Sequence, residues 1–353
     1  MKTVFVAVIF SGIALAAPAA ETARLDYLGV NLSGAEFGSH PEPGPNNPGT
    51  FGHDYTFPTA AEVDAYAAAG FNVVRLPFAW ERLQPKPNGP FDEKYLAGLD
   101  EVVRAAGAKG VAVIVEPANF GYGYGALIGS AATPNSVFAD LWRRIALHYA
   151  HRPWVMFGLM NEPHDQSPAD WLPSAQAAID AIRATGAKQE ILVPGTYYAQ
   201  GTSWVSRGNA ADFAEHITDP AHNSAFEIHQ YNDADQSGRS PGPVSATIGA
   251  DRLRDVTAWA EASHRRLFLA EFGANNDAPS ITAMRNQLAF VQEHRAVWQG
   301  AAIWGGGPWW PDGYPLTVEN RAGVFGPQIA AMKDFLPNKP SAPSPVLHGR
   351  GRS

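Results

Sequence analysis

Two glutamates carry the most chemical promise in this chain. In Met156-Phe157-Gly158-Leu159-Met160-Asn161-Glu162-Pro163 an apolar strand runs into Asn-Glu, and Pro163, which has no N–H for a ladder, stops it there. Glu162 is therefore expected at a strand's C-terminal end. Phe268-Leu269-Ala270-Glu271-Phe272-Gly273 repeats the arrangement 109 residues later and gives Glu271 the same position on another strand. Two carboxyls ~5 Å apart in one cavity are the equipment for cleaving a glycosidic bond with retention, one as acid/base and one as nucleophile. Either residue alone reads as well as an arginine's partner or a helix cap, because carboxylates in ion pairs are often structural. His229 and Tyr231 lie two apart on a strand-like run and share a face, although His229 by itself reads equally as a satisfied buried histidine. The chain has no Cys, which excludes thiolate nucleophiles and Cys-ligated zinc. His148, His151 and His164 show no ligand spacing, so no metal and no other cofactor is expected.

Apolar, strand-like runs begin at Tyr27, Asn72, Val111, Val155, Glu190, Phe226, Leu267 and Ala301, at steps of 34 to 45 residues, with helical stretches between them. Near-continuous apolar strands alternating with helices imply a parallel sheet covered on both faces. Thr59-Ala60-Ala61-Glu62 is a capping box that opens one helix, which Gly70 stops. Phe138, Leu141, Trp142, Ile145 and Tyr149 make an inward helix face, as Leu96, Leu99, Val103 and Ala106 do one unit earlier. About eight such units indicate an α/β fold, a single-domain (β/α)8 TIM barrel, whose active sites lie at the C-terminal ends of the strands. A doubly wound sheet fits less well, because no Gly-rich phosphate turn follows the first strand. Residues 20–339 are assigned to the barrel, with His40–Thr56, rich in Pro, Gly and Asn, as a long first βα loop. Residues 340–353 read as a disordered tail.

The 353 residues are 45% hydrophobic and 17% charged with a net charge of −8, which leaves no basic field for a phosphate backbone and excludes nucleic acid as the natural partner. Lys2, the apolar run Val4–Ala17 and the small residues Ala17-Pro18-Ala19 fit a signal peptide over residues 1–19, and a secreted or periplasmic protein is expected. No later segment is apolar and long enough to span a membrane, and a monomer is expected after signal cleavage.

Several motifs, taken in order, resemble glycoside hydrolase family 5, the retaining cellulase family. They are Val74-Arg75-Leu76-Pro77, Leu159-Met160-Asn161-Glu162-Pro163, Ile228-His229-Gln230-Tyr231 and Ala270-Glu271-Phe272-Gly273. Leu28-Gly29-Val30-Asn31-Leu32-Ser33-Gly34-Ala35-Glu36, Trp80-Glu81-Arg82-Leu83-Gln84-Pro85 and Gly307-Pro308-Trp309-Trp310 look closer still to its secreted bacterial and fungal endoglucanases. The resemblance implies that Glu162 is the acid/base and Glu271 the nucleophile. It also implies that Arg75 lies beside the nucleophile, Asn161 holds the sugar 2-OH, His229 and Tyr231 flank the carboxylates, and Trp304 stacks on the sugar next to the cleaved bond. The substrate would be a polysaccharide or oligosaccharide with internal β-glycosidic bonds, most simply β-1,4-glucan. Trp80, Trp204, Trp309 and Trp310 are candidate further sugar platforms, each more often core than platform. One departure stands out: where the family usually shows Asp-x-His-Asn-Tyr, this chain has Glu116-Pro117-Ala118-Asn119-Phe120. Ala118 replaces a histidine that binds a sugar hydroxyl. That points to a substituted or branched bacterial exopolysaccharide or another β-glycan as the alternative substrate and, more remotely, to a non-catalytic sugar-binding barrel.

Overall fold

The computed structural model describes residues 24–38, 48–240, 242–307 and 309–338, so the signal segment, the tail and part of the first βα loop lie outside the described residues. Eight parallel strands close into a barrel. They are β1 (Tyr27–Leu32), β2 (Val73–Phe78), β3 (Ala112–Pro117), β4 (Val155–Gly158), β5 (Ile191–Pro194), β6 (Ser224–His229), β7 (Leu267–Phe272) and β8 (Trp298–Gly306). Each pairs with its neighbours in sequence, and β8 returns to β1. All eight expected runs are strands, with ends displaced by no more than three residues.

The outer layer holds α1 (Ala60–Ala68), α2 (Glu93–Ala108), α3 (Asn135–His148), α4 (Pro168–Ala184), α5 (Ile248–Ser263), α6 (Ala278–Glu293) and α7 (Pro327–Met332). Between β5 and β6 a 3-10 turn, Gly201–Ser203, and a π-helical segment, Asn209–Ala214, stand in place of a long helix. The Thr59 hydroxyl caps α1 while the Glu62 carboxylate accepts from the Thr59 N–H, closing the capping box. Gly70 then turns the chain at φ +99, a conformation other residues adopt at a cost. Phe138, Leu141, Trp142, Ile145 and Tyr149 are all buried, as their spacing requires. No helix among the described residues is long and apolar enough to cross a membrane.

Two apolar regions hold the fold together. The larger lies between barrel and helices. The smaller fills the barrel itself with Val73, Ala112, Ile114, Met156, Leu192, Ala225, Phe268, Ala270 and Ala302. Side chains on one face of a strand recur every second residue, so the next inward positions above this plug are fixed: Arg75 follows Val73, Glu116 follows Ile114, and Glu227 and His229 follow Ala225. All strands being parallel, these residues rise to the same mouth. On β7 the register against β6 slips by one residue, from Ile228 opposite Leu269 to His229 opposite Glu271. This bulge lets Ala270 face the plug while the very next residue, Glu271, faces the mouth.

Candidate active site

Arg75 is the hub of the mouth, fully buried on β2. Its Nε and Nη2 donate to the two oxygens of Glu116, each at 2.7 Å. Nη1 donates to Asn31 Oδ1 and Glu271 Oε1, both at 2.7 Å, and Nη2 also reaches Asn161 Oδ1 at 2.6 Å and Glu227 Oε1 at 3.2 Å. Every N–H of the guanidinium is therefore directed at an oxygen, which a buried charge requires. Asn31 in turn donates to the carbonyls of Ala270, Ala302 and Ile303, tying β1 to β7 and β8 around the arginine.

Glu271 accepts from Arg75 through one oxygen and from the Tyr231 hydroxyl, at 2.7 Å, through the other. Glu162 sits differently. Strand β4 ends at Gly158, four residues short of it, and Glu162 adopts φ +46, a strained left-handed conformation for a side chain of this size. Asn161 N–H still reaches Pro117 O at 2.9 Å, which anchors the turn to β3. The Glu162 carboxylate is 18% exposed and meets His229 Nδ1 at 2.8 Å, while His229 Nε2 meets Glu227 Oε1 at 2.9 Å. One oxygen from each of Glu162 and Glu271 and one nitrogen of His229 lie within 4.8 Å of one another. Such a cluster is compact enough to face a single cation, yet both ring nitrogens of His229 already point at carboxylates, so that Glu162, His229 and Glu227 form a hydrogen-bonded chain with Glu271 beside it.

The electrostatics follow from burial opposed by neighbours. Burial raises Glu162 above the usual carboxylate range; the His229 hydrogen bond opposes this and nearby Glu271 adds to it. Burial also drives Glu116 up to about 8 against the pull of Arg75. Glu227 goes the other way: burial would raise it, but Arg75 and His229 outweigh that and hold it low. For His229 burial favours loss of the proton, but Glu271, Glu162 and Glu227 overcome it and raise the imidazolium to about 10. The histidine is thus a cation at neutral pH, with a proton on each nitrogen.

All seven candidate residues are at the mouth or on its rim. Arg75, Asn161, Glu162, His229, Tyr231 and Glu271 belong to one hydrogen-bond network, its two halves joined through Glu227. Trp304, at the upper end of β8, is half-buried and donates through its indole N–H to the Tyr314 hydroxyl at 2.9 Å. Tyr314 lies close enough to the two glutamates that, after burial, they help push its hydroxyl up to about 12. It stacks on Trp310 with ring centroids 4.2 Å apart and planes at 10°, and Trp310 stands edge-on to Trp304 at 5.5 Å. Trp80 and Trp204 are not platforms: both are fully buried, Trp80 among Tyr124 and Phe138 and Trp204 among Phe226 and Trp259. Ala118 is 5% exposed. The adjacent Asn119 cannot stand in for the missing histidine, because its amide is committed to Trp80 N and Glu81 Oε2.

Asn31, Glu116, Glu227 and Tyr314 are site residues that the sequence reading did not single out. For Glu116 and Glu227 a usable signal existed. In a barrel with both faces covered, a charged residue inside an apolar strand has only the upper lumen to occupy. Gly158 is the complement of Glu116: a Cβ there would lie 2.3 Å from Glu116 Oε2, so the glycine makes room for this carboxyl.

A parallel barrel with paired glutamates at its C-terminal mouth, one on an arginine and a tyrosine and one on a histidine, defines a glycoside hydrolase of the two-carboxylate class. The family model described as cellulase (glycosyl hydrolase family 5) matches residues 30–307, and the chain belongs to that family. It is similar to endo-beta-1,4-glucanase B of Emericella nidulans, at 37% identity over 92% of this chain and 95% of that one. Among solved structures it is similar to an endo-beta-1,4-glucanase from Xanthomonas axonopodis pv. citri, with TM-score 0.84 and 41% identity over 91% of this chain and 100% of that one. It is also similar to XacCel5A in complex with cellopentaose, with TM-score 0.84 and 41% identity over 88% and 99% of the two chains.

Proposed function

We propose that the protein is an exported endo-β-1,4-glucanase that works by double displacement, with Glu271 as nucleophile and Glu162 as acid/base. The observation that carries the mechanism is the separation of under 4.8 Å between oxygens of Glu162 and Glu271. A retaining pair needs about 5–5.5 Å between carboxyls, whereas an inverting pair needs about 6.5–9.5 Å to admit a water. The named activities of the relatives support β-1,4-glucan as substrate, and the apolar run Val4–Ala17 supports export.

In the first step a Glu271 oxygen attacks the sugar C1, the bond to the leaving oxygen breaks, and Glu162 gives that oxygen its proton. In the second, water attacks C1, Glu162 takes the water's proton, and the ester electrons return to Glu271. Glu162 regains the proton it gave. Burial supports its first role by keeping it protonated above the ordinary carboxylate range. Arg75 fixes Asn161 by binding its Oδ1, which leaves Nδ2 as the end that donates to a sugar hydroxyl. Trp304, with Trp310 and Tyr314 behind it, offers an aromatic face for the apolar C–H side of a sugar ring.

Digestion of a soluble β-1,4-glucan tests this reading. Internal cleavage lowers viscosity well before reducing ends accumulate and gives a spread of short products from cellopentaose. Release of a single product from one chain end, or no cleavage of β-1,4-glucan, contradicts it. Ala118 favours a second reading, a substituted glucan, because a hydrogen-bonding imidazole is lost at that place. Ala118→His then shifts the ratio of kcat/KM towards the unsubstituted glucan by roughly 2- to 13-fold, one hydrogen bond's worth, and an unmoved ratio removes this reading.

A further inference from the structure

Glu227 takes no part in the double displacement described above. It is fully buried beneath the mouth, beyond reach of a substrate, yet it accepts from His229 Nε2 at 2.9 Å. The groups facing His229 are Glu162 at 2.8 Å, Glu227 at 2.9 Å and Glu271 Oε2 at 3.5 Å, with Arg75 and Glu116 in the same layer and the Tyr231 hydroxyl donating to that same Oε2 of Glu271. Three carboxylates therefore share one imidazole, and the reaction changes two of them. Glu271 becomes an uncharged ester in the covalent intermediate, and Glu162 alternates between acid and carboxylate.

The geometry points to Glu227 as a positioning residue for the second half of the reaction: it keeps His229 doubly protonated while Glu271 is esterified, so that Nδ1–H faces Glu162 and favours its carboxylate. This inference rests on the double-displacement reading. Its logic is that of the histidine tautomer. With an anion on Nε2, the ring carries a proton on both nitrogens and presents a donor to Glu162. With a neutral acceptor on Nε2 and no charge on Glu271, the ring keeps only the Nε2 proton, and Nδ1 becomes an acceptor. An acceptor there holds Glu162 in its protonated form, which is wrong for removing a proton from water. His229 itself keeps both protons throughout, so the proton balance of the two steps is unchanged.

The native enzyme, labelled with 15N-histidine and trapped with a dinitrophenyl 2-deoxy-2-fluoro-β-cellobioside, provides the test. The expected result is a glycosyl adduct on the Glu271 peptide and ring nitrogens of His229 with the shifts of an imidazolium. In Glu227→Gln, which keeps shape and an acceptor but removes the charge, the trapped form shows a singly protonated ring. With an activated aryl cellobioside, whose departure needs no acid, kcat of that variant falls about tenfold or more while kcat/KM changes by less than about threefold, so KM falls too. Glu116→Gln, at a residue that binds Arg75 and adjoins Glu227 but makes no hydrogen bond to His229, lowers both parameters together. A neutral His229 in the trapped native enzyme overturns the inference, whether or not any variant folds, and so does an equal fall of kcat and kcat/KM in Glu227→Gln. Failure to find the adduct on Glu271 overturns the double-displacement reading and this inference with it.

Discussion

The barrel interior has two storeys on the same strands. In the lower one, Val73, Ile114, Met156, Ala225 and Phe268 pack in one apolar cluster. In the upper one, a single step of the strand period away, Arg75, Glu116, Glu227, His229 and Glu271 are joined by hydrogen bonds of 2.7 to 3.2 Å, apart from the longer 3.5 Å contact between His229 and Glu271. Both storeys are buried, so the usual division between an apolar inside and a charged surface does not separate them. What separates them is whether each removed hydration shell is replaced. Methyl groups need nothing in its place, whereas each charge needs an oppositely charged or hydrogen-bonding neighbour at fixed distance. Changes of shape in the lower storey should therefore cost a little stability, whereas loss of a charge in the upper one should disable the reaction or, at the shared cation, the fold.

The comparison predicts a descending series. Glu162→Gln and Glu271→Gln should leave thermal unfolding close to that of the parent while lowering turnover on β-glucan, by roughly 10²–10⁴-fold for the acid/base and at least as much for the nucleophile. A folded, fully active Glu271→Gln would break the division at once. Arg75→Met should act on stability as well, because it leaves Glu227 and Glu271 without their shared cation and Glu116 without two hydrogen-bond donors; chemical denaturation should show a loss of about 3–5 kcal/mol. A gain in stability would mean that the upper storey is not held by this ion pairing.

The fold and the placement of the two glutamates at its mouth were legible for a simple reason: both depend on local punctuation. Pro163 and Gly273 mark the ends of apolar runs, and the spacing of eight such runs sets the barrel. The charged layer beneath the pair was less legible. In Ser224-Ala225-Phe226-Glu227-Ile228-His229 the alternation by itself resembles a strand with one wet face, and only the eight-unit barrel reading moves Glu227 off that face into the lumen. Closure of the barrel turns that face into a second interior, and closure is a long-range property. The left-handed φ of Glu162 and the approach of Tyr314 from the loop after β8 likewise arise from how loops meet, not from any motif. Trp80 and Trp204 show the opposite failure, since position in a βα loop does not tell whether an indole points out or is folded back among core rings.

Smaller effects sharpen the comparison further. His229 is raised from the ordinary histidine value of 6.5 to about 10 in the fold, so the folded chain holds a proton that the unfolded chain releases above pH 6.5. Its contribution to stability is therefore complete below pH 6.5 and is lost as pH rises towards 10, with a slope of at most about 1.4 kcal/mol per pH unit for one proton. Thermal unfolding across that window should show the decline, and His229→Asn should flatten it. Ile114→Val, in the lower storey, should cost only about 0.5–1.5 kcal/mol and leave kcat/KM unchanged within twofold or so. A large loss of activity from this substitution would show that the two storeys are mechanically coupled.

If Glu271 and Glu162 act as a retaining pair, the configuration at the cleaved carbon is preserved. Proton NMR of the hydrolysis of a β-1,4-linked cello-oligosaccharide, recorded in the first minutes before mutarotation, reads the anomeric configuration of the newly released reducing end. With retention, the β signal appears first and the α signal grows only as the product equilibrates. Initial appearance of the α anomer would contradict it.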